Sequence, residues 1–286
     1  MNFSNILAHI AKVDPEVYER TSQRRHVIKN WMRGVTLATL PLALGSLFNK
    51  AYGKNTATIT EVLNFALLLE FFEHEFYTLA LDASIKSATP LIPSGLEQSA
   101  FINIRNHEAR HVDFLRTTIV VAGDLPIGKP NFDFTGGKGG PSGKFPNVFS
   151  DYDVFLALAQ VFEDTGVRAY KEGVPTLMPN NDILTAAMRI HSTEARHAAH
   201  VRAIRRNTPS SWISGTVKPW VVKSDSNINS SDLQGTYEGE DNTLQATIQI
   251  LDINGQPVPL DYASGSFDEP LDAVSVGKIL DPFLMP

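Results

Sequence analysis

A chain of 286 residues has room for one large domain with appendages, and an apolar fraction of 43% lets it bury a core without covalent staples. Its net charge of −6 and the lack of any long basic run argue against nucleic acid as a partner. Cysteine is absent, which excludes disulfides, iron–sulfur clusters, thiolate zinc sites and cysteine nucleophiles, so Asp, Glu and His must hold any metal.

The amino-terminal stretch "SQRRHVIK" places Arg24 and Arg25 ahead of Val27 and Ile28, and a moderately apolar run follows from Gly34 to Phe48. Ala51-Tyr52-Gly53 then offers the small residues of a cleavage site. The pattern resembles a twin-arginine export signal over residues 1–53, which implies a periplasmic or otherwise exported protein that folds, and takes up any metal, before export. Pro41 and Gly45 break the run too often for a membrane span. An amphipathic helix of the folded domain is the competing reading.

Four long helices are predicted over residues 58–207. The first runs from Thr60 to about Asp82, with Leu63, Leu67 and Phe71 and a row Glu70, His74, Tyr77 at helical spacing. The second opens on Ser94, three residues before Glu97 as in a capping box, and runs to Val121 before Gly123. Residues 122–150 carry too much Gly and Pro for a regular element, and a connection of that length is functional or a crossover. Its "TGGKGGPSGK" lacks the spacing of a phosphate-binding loop. The third helix starts near Ser150 or Asp151 and ends about Gly173; the fourth runs from Asn181 to Arg206. Short, long, short is the connection pattern of an all-α four-helix bundle with one long crossover. The remaining residues, 208–286, read as a small mixed β/α tail on the bundle. They offer a hairpin at Asn254-Gly255 and a short helix over Leu271 to Leu280.

The chain repeats itself. Glu70 with Tyr77 aligns on Glu163 with Tyr170, and Glu108-x-x-His111 aligns on Glu194-x-x-His197. The first copy also reads His107-Glu108-x-x-His111, the H-E-x-x-H spacing of zinc proteases. The second copy has Thr193 where that first histidine would stand, and no further glutamate follows until Glu163, so the protease reading lacks a third ligand. His107 is then an outer-face residue or one that stands behind a ligand. A Glu and a His three apart share one helix face, and a Glu from the neighbouring helix can close the shell around an ion. Two such hairpins supply four carboxylates and two imidazoles, enough for two divalent metals whose charge the carboxylates balance. Glu73 and His74 share the face of Glu70, but the repeat puts Gly166 and Val167 in their places, which leaves them as supporting groups. His200, at the position of Phe114, reads as a packing group or one behind a ligand.

The phrases "NFALLLEFFEHEFYTLAL", "NHEARHVDFL", "FEDTGVRAYKEG" and "STEARHAAHVRAI", with "YEGEDNTLQ" and "FDEPLDAVSVGKILDPF" near the carboxyl end, resemble the ferritin-like domain family that includes exported bacterial proteins and plant desiccation-related proteins. The resemblance implies a ferritin-like four-helix bundle. It also implies metal ligands at Glu70, Glu108, His111, Glu163, Glu194 and His197, with Tyr77 and Tyr170 behind them. Two iron ions per chain are the expected cofactor, with manganese as the other candidate, and Fe(II) oxidation by oxygen or peroxide is the expected chemistry. A stress- or desiccation-related protective protein without turnover is the alternative, and a homo-oligomer, up to an iron-storing cage, is a further expectation. Which carboxylates bridge the two ions is left open.

Overall fold

The computed structural model describes residues 57–86 and 89–286, so the expected export segment lies outside the described residues. Four long helices follow one another: α1 (Ile59–Lys86), α2 (Leu96–Val121), α3 (Tyr152–Leu177) and α4 (Asn181–Asn207). α1 packs along α2, α3 along α4, and α1 against α3 joins the two hairpins into a bundle with one long crossover. Among the described residues no helix is long and apolar enough to cross a membrane.

The helix starts follow local chemistry. Thr58 and Glu61 form a reciprocal capping box at α1: the Glu61 carboxylate accepts the Thr58 N–H at 2.8 Å, and the Thr58 hydroxyl oxygen accepts the Glu61 N–H at 3.2 Å. Asp151 caps α3 by accepting the N–H of Asp153 and Val154, and Asn180 caps α4 by accepting that of Ile183. The capping box predicted at Ser94 does not form. Gly95 is the N-cap, at φ 103°, without a side-chain bond, and Glu97 instead accepts the Tyr152 hydroxyl at 2.5 Å. A helix–helix tie thus takes the carboxylate that sequence spacing had given to the cap. α3 also runs a turn past Gly173 to Leu177, with Pro175 inside that last turn.

α1 and α3 are buried on nearly every face, as the run of apolar residues around Glu70 and from Val154 to Val161 requires. α2 and α4 bury one stripe each. The crossover has a fixed course: Asp133 accepts the N–H of Thr135 and Gly139, while Phe132 and Phe134 pack on Phe72. The end of the chain lies alongside, with the Asp133 N–H donating to the Phe283 carbonyl at 2.8 Å and the Met285 N–H to that of Asn131 at 3.1 Å.

The tail is mixed, as expected, but its strand region is two tiny hairpins: β1 (Leu244–Gln245) with β2 (Ile248–Gln249), and β3 (Asp252–Ile253) with β4 (Gln256–Pro257). Asn254 and Gly255, both at positive φ, make the second turn. Two short helices follow, α5 (Leu260–Ser264) and α6 (Ala273–Leu280), the latter capped by Asp272.

Candidate metal centre

The repeat seen in sequence becomes an approximate twofold arrangement in the bundle centre. α1 contributes Glu70 and α3 contributes Glu163; α2 contributes Glu108 and His111, and α4 contributes Glu194 and His197, each pair one helical turn apart. All four glutamates are 0% exposed. His111 Nδ1 lies 3.0 Å from Glu70 Oε2, 2.9 Å from Glu108 Oε2 and 3.1 Å from Glu194 Oε1. His197 Nδ1 mirrors it, 2.9 Å from Glu108 Oε1 and 3.4 Å from both Glu163 Oε2 and Glu194 Oε2. The result is two donor groups, Glu70, Glu108, His111 and Glu194 in one, Glu108, Glu163, Glu194 and His197 in the other. Each group holds its donor atoms within 4.8 Å of one another, and Glu108 and Glu194 belong to both.

The tyrosines cross between the halves. Tyr77 on α1 donates its hydroxyl to Glu163 at 2.5 Å, and Tyr170 on α3 donates to Glu70. Each bond orients one carboxylate and leaves its second oxygen for the centre. Burial pushes the Glu108 carboxyl well above the usual range, and the Glu194 carboxylate adds to this. Burial likewise raises Glu163 to about 7 against the pull of His197. Glu194 goes the other way: the imidazoles of His111 and His197 outweigh its burial and hold it at about 2. Burial alone would lower both imidazoles, but the carboxylates around them, Glu70 first for His111 and Glu163 first for His197, hold them well above the ordinary histidine range. Several atoms remain unmatched even so. Close as the carboxylate oxygens lie to the imidazole nitrogens, Glu108 Oε1, Glu163 Oε2, both Glu194 carboxylate oxygens and His197 Nδ1 are buried without a well-aligned hydrogen bond among the described residues. Orphaned acceptors in a closed interior are costly, and a cation that takes several of their lone pairs at once removes the mismatch. The donor set, hard carboxylates with imidazole, suits a first-row divalent metal. This buried acidic and histidine cluster can therefore hold metal.

A family model described as the ferritin-like domain matches residues 58–207, more than half of the chain. The chain belongs to the ferritin-like domain family. No curated protein matches it. The matched region ends where α4 does, and the tail follows it.

Other residues weighed from the sequence take definite places around the ferritin-like centre. Glu73, one turn after Glu70, is 3% exposed. A Cβ added at Gly166 would sit 3.0 Å from its Oε1, so the glycine leaves the space that Glu73 fills. Burial raises the Glu73 carboxyl well above the usual range, with Glu194 the first of four carboxylates adding to the effect. The pairing of Glu73 with Gly166 in the repeat is the sequence signal for this fifth carboxylate, which belongs to neither donor group and stands beside them as a supporting group. His107 belongs to neither donor group, and its Nδ1 lies 2.9 Å from His197 Nε2. His200 is exposed, not packed, because it faces out from α4.

Proposed function

We propose that the chain carries a dinuclear metal centre, iron in its working form, that oxidises Fe(II) with oxygen or peroxide. Glu70 and His111 would hold one ion, Glu163 and His197 the other, and Glu108 and Glu194, which belong to both donor groups, would be shared between them. The observation that carries this reading is the sharing of Glu108 and Glu194 between two overlapping donor groups, each completed by one imidazole. When bound, two ferrous ions supply one electron each, enough to reduce one hydrogen peroxide, with two protons, to two waters. The protein's part is positional. Tyr77 and Tyr170 hold the terminal carboxylates, the buried faces of α1 and α3 keep bulk water away, and fixed donors spare reorganisation as charge changes. The test is stopped-flow mixing of the Fe(II)-loaded full-length chain with peroxide. The expected result is ferric formation faster than for free Fe(II) in the same buffer, at one peroxide per two irons, and slowed in Glu163→Gln. Rates no faster than free iron would contradict it and leave a metal-binding bundle with a protective role.

We also propose export by the twin-arginine route, supported by Arg24 and Arg25, the apolar run behind them and the small residues at 51–53. Replacing both arginines with lysine should keep the protein in the cytoplasm of a host that has the pathway; unchanged export would refute the route.

A further inference from the structure

The two halves of the centre differ not only at Glu73, which faces Gly166 in the repeat, but also at the residue before each shared glutamate. In the first half, the residue before the bridging Glu108 is His107; in the second, the residue before Glu194 is Thr193. His107 is half-buried, and its ring reaches from α2 to α4, where it lies nearly parallel to that of His197, at 10° and 5.2 Å between centroids. Thr193 is engaged locally, donating to the Arg189 carbonyl and accepting from Arg196. Among the described residues nothing hydrogen-bonds His111 Nε2, so only one of the two imidazoles has a protein group behind it.

That contact constrains proton positions. His197 turns Nδ1 toward Glu108, Glu163 and Glu194, and can give an ion its lone pair there only if its ring proton is on Nε2. The Nε2–H then needs an acceptor, and His107 Nδ1, 2.9 Å away, is one when its own proton is on Nε2. One imidazole thus sets the tautomer and the ring angle of the other. A group behind a ligand typically changes metal affinity by about 10–100-fold. Resting on the dinuclear reading above, we propose that His107 is a positioning residue that makes the two metal positions unequal, so that the position served by His197 fills first and holds its ion more tightly.

The test is titration of the metal-free full-length protein with Co(II), followed by its visible absorption, with thermal unfolding of each metal-free variant as a check on the fold. The wild-type chain should bind two ions with stepwise constants at least about tenfold apart. His107→Phe, which keeps a ring but has no acceptor, should weaken the tighter step by about 10–100-fold and leave the other nearly unchanged. His107→Asn, with an amide oxygen near the place of Nδ1, should restore most of it, whereas His107→Gln, which carries its oxygen further out, should not; this pair decides the matter even where the Phe variant fails to fold. In the zinc-loaded protein, nitrogen NMR should find the protons of both His107 and His197 on Nε2. Two ions bound but weakened equally, or unaffected, by every substitution would overturn the inference while leaving the dinuclear centre intact. Fewer than two ions in the wild-type chain would overturn the dinuclear reading and this inference with it.

Discussion

Buried carboxylates need donors or cations, and those at this centre meet the need in several ways. Glu70 and Glu163 take one tyrosine hydroxyl each from the opposite half, Glu194 sits between two imidazoles, and Glu73 rests in the space left by a glycine. Tyr170→Phe removes the donor to Glu70 inside a closed core, and should destabilise the protein by roughly 1–3 kcal/mol, read by denaturant titration. Metal uptake should depend on pH with a definite sign. Glu163 titrates at about 7, and the raised Glu108 carboxyl, like His111 and His197, also holds protons in the metal-free protein, so an ion must displace them. Affinity should therefore fall as pH drops through about 7, and calorimetry in buffers of different ionisation enthalpy should detect protons released on binding.

α3 illustrates what elements do that single residues do not. Its interior Gly166 weakens the helix by roughly 0.5–1 kcal/mol relative to alanine, yet it is what admits the Glu73 carboxyl to the core. Because burial raises that carboxyl above its unfolded value, folding disfavours its ionised form, and the metal-free protein loses stability as pH rises from the unfolded value toward the folded one. Glu73→Gln removes this effect and should stabilise the metal-free protein at pH 7, read as a higher midpoint in thermal or denaturant unfolding. The helices themselves were legible in the sequence because apolar periodicity over more than twenty residues is a strong signal, and the six expected ligands came together because the repeat marked them twice. What was hidden depended on partners distant in sequence. The spacing of Ser94 and Glu97 fits a cap, but Tyr152 claims the glutamate; Thr58 with Glu61 has the same spacing and does form the box. For His107 the sequence leaves an outer-face place and one behind a ligand both open, because nothing local says that its nitrogen meets His197, on another helix.

At the scale of the molecule, the tail is fastened to the bundle through buried cations on α3 and α4. Arg168 on α3 pairs with Glu240 at 2.7 Å and donates to the carbonyls of Thr236, Glu238 and Glu269, while Arg202 on α4 pairs with Asp164, which also accepts the Tyr237 hydroxyl at 2.7 Å. Gln160 and Arg205 extend the same network to the Ser226 and Asn227 carbonyls. None of this was legible in the sequence, where isolated arginines carry no sign of the carbonyls they will meet. Arg168→Met leaves Glu240 buried and unpaired and should destabilise the protein by roughly 3–5 kcal/mol, with protease cleavage appearing first after residue 207. On α3, Arg168 lies two residues before Tyr170, so loosening the tail should also disturb the hydroxyl that holds Glu70.

The proposed sharing of Glu108 and Glu194 between two ions can be read from metal content per chain, measured by mass spectrometry on the full-length protein loaded anaerobically with Fe(II), beside a Glu108→Gln, Glu194→Gln double variant. Two irons per chain in the wild type, both lost in a variant that still folds, is the predicted result. No specific iron in either protein, or equal iron in both, would contradict it.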